Sequence, residues 1–165
     1  MMKKNKIMLL FVCLGNICRS PAAEAVMKKK VADRGRKECF EIDSAAIGNW
    51  HVGELPDARM RACGAARGYR LDSRARQFSV DDFRCFDYIL VMDHENYKRI
   101  TALAPTEGDK DRVLMLANFA HAYPHQDIIP DPYYGTEQDF NYALDLIENA
   151  CDGLLAAIDE EQGAE

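Results

Sequence analysis

A chain of 165 residues, 48% of them hydrophobic, suits one compact domain around one sizeable core. Its 27 acidic and 21 basic side chains give a formal charge of -6, which argues against a nucleic-acid partner, whose phosphates would need neutralising, but leaves room for a local anion site. The cysteines at 13, 18, 39, 63, 85 and 151 lack the dense spacing of a secreted disulfide scaffold and imply a reducing, cytoplasmic setting with mostly buried thiols.

The opening "MMKKNK" and apolar "IMLLFVCL" imitate a secretion signal. The run is only eight residues long, Asn16 and Arg19 follow at once, and no small-x-small cleavage site appears, so a buried strand over 6–12 fits better. No segment approaches the roughly 18 apolar residues of a membrane helix, so no membrane role is expected. Ser20 as cap, Pro21 at the first helical position and Gly35 as stop predict a helix over 20–35. "CFEIDSA" at 39–45 reads as a strand, and "DARMRACGAARG" at 57–68 is compatible with a helix weakened by Gly64. "DYILVM" at 87–92 and "RVLML" at 112–116 are further strands, with a short helix over 94–103 between them. Phe140, Leu144, Ile147, Cys151, Leu154, Leu155 and Ile158 recur at steps of three and four, which predicts a long final helix with Thr136 as its cap. No repeat or linker divides the chain, so a single domain over 1–165 is expected, with 1–5 and 160–165 as loose ends.

Strands alternating with helices imply parallel strands joined by right-handed crossovers. The expected fold is therefore α/β, a four-stranded parallel sheet with helices on both faces in three layers. The first and third strands are apolar throughout, as strands covered on both sides are. Ligands of such folds collect beyond the carboxyl ends of the strands, where "FVCLGNICRSPAAEA" lies at residues 11–25.

A loop leaving a strand and entering a helix turns backbone N–H groups inward, and the helix terminus adds partial positive charge, so the cavity suits an anion. Cys13 stands at the start of this loop, in a field that favours the nucleophilic thiolate. Arg19 can return across the loop and grip two oxygens of a phosphoryl group with its planar fork. Gly15 and Asn16 tolerate the left-handed backbone of a tight phosphate cradle, and Ser20 can offer its hydroxyl to the cysteine sulfur. A zinc site is disfavoured, because Cys13 and Cys18 have no second close Cys or His pair and His51, His94, His121 and His125 are scattered. No G-x-G-x-x-G dinucleotide fingerprint is present. Thiolate attack on a phosphate ester needs a proton for the leaving oxygen. Asp131, held between Pro130 and Pro132 and followed by Tyr133 and Tyr134, is favoured as that acid over its rival Asp127.

With these residues in place, the chain resembles the low-molecular-weight protein tyrosine phosphatases along essentially its whole length. The matching segments are "VCLGNICRSPAAEA", "DSAAIGNWHVGELPDARM", "SRARQFSVDDFRCFDYILVMDHEN" and "IPDPYYGTEQDFNYALDLI". The resemblance implies a flavodoxin-like, phosphotyrosine phosphatase I-like sandwich. It also implies a monomer with no cofactor or metal, acting on phosphotyrosine-containing proteins through a phosphocysteine. It assigns catalysis to Cys13, Arg19 and Asp131, and phosphate binding to the loop residues Leu14, Gly15, Asn16, Ile17, Cys18 and Ser20. Loop support falls to Ser44, Asp93 and Ser73, and an aromatic rim to Trp50, Tyr133 and Tyr134. Many relatives carry a histidine where Ser73 stands, so Ser73 is expected to hold Asn16 in its place. The resemblance further implies that Cys18 can form a reversible disulfide with Cys13 and shield it from overoxidation.

Three alternatives come with the resemblance. Protein arginine phosphatases carry a threonine at the place of Ile17. Thiol-linked arsenate reductases relay electrons through cysteines after the third strand, where none occurs here before Cys151. A phosphotyrosine-binding module without catalysis would have no need to keep Cys13, Arg19 and Asp131 together.

Overall fold

The apolar run at the start of the chain has no wet face, and it becomes the central strand. A computed structural model describes residues 6–163. Its four strands are β1 (Ile7–Cys13), β2 (Phe40–Ala46), β3 (Tyr88–Val91) and β4 (Val113–Met115). The helices are α1 (Arg19–Asp33), α2 (Ala58–Ala66), α3 (Asp82–Cys85), α4 (His94–Ala102), α5 (Glu107–Lys110) and α6 (Glu137–Gly163). The strands form one parallel sheet in the order β2-β1-β3-β4. The expected α/β class and four-stranded parallel sheet are therefore correct.

Successive side chains of a strand point to opposite faces, and β1 uses both. Leu9 and Phe11 join the core formed with α1 and α6, while Leu10 and Val12 join Phe78, Phe83, Ile89 and Ile100 on the other face. These four of the seven β1 residues are fully buried, each contributing about 1.5–3 kcal/mol of apolar burial. β1 ends at Cys13, which sits beside Ala46 of β2, and Val12 sits beside Val91 of β3. The nucleophile candidate thus leaves the middle of the sheet at its carboxyl edge, the end at which parallel sheets bind ligands.

Several local features depart from expectation. α1 begins at Arg19, and Ser20 lies inside its first turn without capping it, because its hydroxyl is engaged with Cys13 and Asn16. Gly35 ends α1 as expected, with φ 69° and its N–H donating to Ala32 O. Gly64 sits inside α2, where a Cβ would stand 2.7 Å from Leu71 Cδ1, so glycine allows that segment to pack close. α3 and α5, four residues each, are too short to show a helical period and were not expected. Thr136 precedes α6, but its hydroxyl and its N–H both donate to Asp139 Oδ2. α6 then runs to Gly163, correcting the expectation of a loose end over 160–163. The Tyr88 hydroxyl donates to Glu161 and Arg36 pairs with Asp159, so contacts with other elements continue to that end. The loose end expected over 1–5 falls outside the described residues, as do 164–165. Among the described residues no helix is long and apolar enough to cross a membrane.

Candidate active site

Between β1 and α1 the backbone of residues 14–18 curls into a loop whose carbonyls are tied outward. Ile47 N–H donates to Cys13 O, Gly48 N–H to Leu14 O, and Asp57 N–H to Ile17 O at 2.8 Å. Among the described residues no group accepts from the amides of residues 14–18, which are left to serve an anion. Asn16 has φ 59°, the one non-glycine residue in the left-handed region among those described.

A buried chain of hydrogen bonds holds that strained residue. Asn16 Oδ1 accepts from the backbone N–H of Arg76 at 3.1 Å, which fixes the orientation of the amide. Asn16 Nδ2 then donates to Ser20 Oγ at 2.8 Å and to Ser44 Oγ at 2.9 Å. The Ser44 hydroxyl in turn donates to Glu24 Oε1 at 2.5 Å, and Lys28 donates to the other Glu24 oxygen at 2.7 Å. Since Ser20 Oγ already accepts from Asn16, its proton is directed at Cys13 Sγ, 3.0 Å away. The Ser20 N–H also points at that sulfur, at 3.4 Å. The network thus presents two donors to the Cys13 sulfur.

Arg19 is 97% buried, and its fork is set by two contacts on one nitrogen. Nη1 donates to Asp93 Oδ2 at 2.8 Å and to Ile129 O at 2.9 Å. Burial alone would favour the neutral guanidine, but neighbouring Cys13, Asp93 and Asp131 outweigh it and raise the Arg19 pKa above its usual range. Asp93 is itself fixed as the cap of α4 through Asn96 N–H. Arg19 Nη2 faces Asp131 Oδ2 at 3.7 Å, on the loop that ends β3's neighbourhood through Ile129 N–H to Met92 O.

These groups open on one cavity of about 220 Å³. Cys13, Leu14, Gly15, Ile17, Cys18 and Arg19 form its floor, and Trp50, His51, Asp131, Tyr133 and Tyr134 its walls. A larger cleft, about 730 Å³, lies between α1 and the β2 edge, but Lys6, Lys28 and Lys29 there face acids and it contains no nucleophile. Among the described residues no group of three His, Cys, Asp or Glu side chains is arranged to hold a metal ion.

The model of the family described as low molecular weight phosphotyrosine protein phosphatase matches residues 8–164. The chain belongs to that family. A Streptomyces coelicolor low molecular weight protein-tyrosine-phosphatase is 44% identical over 152 residues, 92% of this chain and 93% of that one. A crystal structure of a protein tyrosine phosphatase from Entamoeba histolytica superimposes with a TM-score of 0.90 at 42% identity, covering 97% of this chain and 100% of that chain. A Drosophila arginine phosphatase shares the fold with a TM-score of 0.84 at 33% identity, covering 91% and 96%.

Within this family member, the residues singled out from sequence are mostly gathered at one place. Asp131 reaches the cavity, whereas the rival Asp127 pairs with His94 at 2.9 Å on an exposed surface, where that hydrogen bond lowers its pKa. Asp131 Oδ1 accepts from Tyr133 N–H at 3.1 Å, so the acid and the aromatic wall share one turn. Tyr133 and Tyr134 meet edge to face, 4.9 Å between ring centroids, and Trp50 is 63% exposed across the opening. The Cys18 thiol is pushed far above its usual range, first by burial and then by neighbouring Asp57, Cys13 and Asp131. Both cysteines are free thiols.

Ser73 is a correction. It makes no hydrogen bond to Asn16 among the described residues; the Arg76 amide occupies that role. Ser73 instead lines a cleft of about 20 Å³ beside Glu24 and Lys28, at the far end of the chain of hydrogen bonds.

Sequence reading missed four residues. Glu24, only 4% exposed, ends the Asn16 network, and the signal was a lone carboxylate in an alanine-rich helical turn. Arg76 acts through its backbone while its side chain pairs with Asp43 and Asp82, and a backbone role leaves no mark in sequence. His51 lies against Gly15, with Cδ2 3.1 Å from where a Cβ would stand, and its Nδ1 is 3.0 Å from Glu54 Oε1. Its position next to Trp50 was the available signal. Arg59, two residues past the α2 cap Asp57, reaches the ring of Tyr133.

Proposed function

We propose that the protein is a single-domain monomeric phosphatase that hydrolyses phosphotyrosine in proteins through a phosphocysteine on Cys13. The carrying observation is that Cys13, Arg19 and Asp131 line one cavity whose floor is a loop of unengaged amides.

In the first step the Cys13 thiolate attacks phosphorus, the S–P bond forms, and the P–O bond to the aryl group breaks. The three equatorial oxygens receive the loop amides and the free edge of the Arg19 fork as charge develops on them. Asp131 gives its proton to the departing phenolic oxygen. In the second step Asp131 takes a proton from water as the water oxygen attacks phosphorus. The S–P bond breaks, its electron pair returns to Cys13, and the Ser20 hydroxyl receives that thiolate. Inorganic phosphate leaves.

The aromatic residues that line the cavity support phosphotyrosine as the ester. Trp50 and the Tyr133–Tyr134 pair stand above the loop as walls for a phenyl ring, and a phosphoserine side chain is too short to pass them and reach Cys13. Ile17 on the floor favours phosphotyrosine over phosphoarginine. The formal charge of -6 fits a protein substrate without nucleic acid, and the free thiols fit a cytoplasmic setting.

A panel of phosphotyrosine, phosphoserine, phosphoarginine and arsenate, without added metal, tests the reading. Phosphotyrosine should be hydrolysed fastest and Cys13→Ser should abolish turnover; activity that survives in Cys13→Ser sinks the mechanism. Asp131→Ala should slow poor leaving groups most, and Asp127→Ala should leave the leaving-group dependence unchanged.

A further inference from the structure

We infer that Arg59 is a positioning residue that locks the loop carrying the acid onto the loop carrying the nucleophile. This rests on the reading of Asp131 as the acid.

The acid loop has few anchors of its own. Ile129 is tied at both its N–H and its carbonyl, and beyond it the residues 130–134 make no hydrogen bond to the rest of the protein among the described residues. Tyr133 N–H to Asp131 and Gly135 N–H to Pro132 are bonds within the loop itself. The Arg19–Asp131 approach, at 3.7 Å, is long for a direct hydrogen bond. Residues 130–134 are therefore held to the rest of the molecule by packing alone, through buried Pro132 and through the Tyr133 ring, which packs on the core and under Arg59.

The Arg59 guanidinium lies 5.3 Å from the centroid of Tyr133 and 4.6 Å from that of Phe140, both within cation–π reach. Its donors are fixed at the same time by Asp57, with Nε to Oδ1 at 3.1 Å and Nη2 to Oδ2 at 3.0 Å. A planar fork engaged along one edge by a carboxylate leaves its face free to stack, a geometry a lysine ammonium lacks. Asp57 in turn donates its backbone N–H to Ile17 O in the nucleophile loop. The path therefore runs from the Ile17 carbonyl through Asp57 and Arg59 to the Tyr133 ring, and from the Tyr133 amide to the Asp131 carboxylate. Each link is a direct contact. Fixing the Tyr133 peptide fixes where Asp131 Oδ1 points, and so where Oδ2 sits relative to Arg19.

A residue that acts through the acid affects only reactions that need the acid. The value of kcat/KM reports the steps up to loss of the leaving group, so it should be measured for phosphotyrosine and for 2,4-dinitrophenyl phosphate, whose leaving group needs no proton. In Arg59→Ala, kcat/KM should fall about tenfold for phosphotyrosine and by less than about twofold for the dinitrophenyl ester, the scale expected of a misplaced catalytic group. Combined with Asp131→Ala, the Arg59 change should add less than about twofold on phosphotyrosine, because the pathway it serves is already gone. Arg59→Lys, which keeps a cation over the rings without the fork, should recover part of the loss. Thermal unfolding checks that the variants fold, and Arg59→Gln provides the same comparison if the alanine variant does not. Equal losses on both esters, no loss on either, or the same factor in the Asp131→Ala background as in the parent would overturn the inference. Failure of the underlying reading is distinguishable, since Asp131→Ala alone would then show no leaving-group dependence.

Discussion

The hydroxyl oxygen of Ser20 lies 3.0 Å from the Cys13 sulfur, and its proton has nowhere else to go because Asn16 donates to the same oxygen. A hydrogen bond to a charged sulfur contributes about 1.5–3 kcal/mol. Ser20→Ala should therefore slow turnover about 10- to 100-fold, most in the step that expels the thiolate. Rapid-quench measurement should find phosphoenzyme accumulating in the variant. Unchanged decay of the phosphoenzyme contradicts this role for Ser20.

Asn16 and Ser73 should behave differently under the same substitution. Asn16→Ala removes bonds to Ser20, Ser44 and the Arg76 amide and leaves alanine at φ 59°. The orphaned amide and the strained backbone together cost about 2–4 kcal/mol. Ser73→Ala touches none of these contacts and should change stability by less than about 0.5 kcal/mol. Denaturant midpoints and kcat for the two variants decide the matter; a Ser73 effect as large as that of Asn16 refutes the observed network.

Cys18 should stay protonated while Cys13 reacts. Burial raises the Cys18 pKa, so as pH increases from neutral to mildly alkaline its thiolate remains absent and alkylation there does not begin. Iodoacetate should label Cys13 with loss of activity, alongside the exposed thiols Cys39 and Cys85, and mass mapping should find Cys18 unmodified. Phosphate should protect Cys13 from labelling. Oxidation offers a separate check on the pairing suggested by the family: peroxide inactivation should reverse with a dithiol in the parent and become irreversible in Cys18→Ala.

The end of α6 supplies a pH test. Burial, and then the hydrogen bond to Glu161, push the Tyr88 hydroxyl from its ordinary 10.0 up to about 12. A group with a raised folded-state pKa contributes stability that is complete below its unfolded value and is lost as pH rises through the folded value. The stability difference between the parent and Tyr88→Phe should therefore be constant up to about pH 10 and shrink between there and about pH 12. Urea midpoints across that range measure it, and a difference that grows with pH shows the sign to be wrong.

Much of the molecule is legible in the chain because its determinants are local. Uniformly apolar β1 must be covered on both faces, which predicts the parallel sheet; a strand running up to Cys13 and a helix beginning just past Arg19 predict the anion loop. The period of α6 gives its buried face, although its last residues carry no apolar signal and are helical through contacts with Tyr88 and Arg36. The flanking prolines and the tyrosines that follow singled out Asp131, and family likeness strengthened that reading of what is by itself an ordinary aspartate–proline turn.

The fold class, the candidate nucleophile and its arginine are legible in the chain alone, because strand and helix periods and the six-residue spacing from Cys13 to Arg19 are properties of contiguous chain. Only the tertiary structure decided the rest. It aimed Asp131 at Arg19 and Asp127, four positions earlier on the same segment, at His94. It replaced Ser73 with the Arg76 amide as the partner of Asn16, and it laid Arg59 over Tyr133. The physical reason is that each of these outcomes depends on which distant backbone or ring lies within a few ångströms, a distance that residue type and local spacing do not encode.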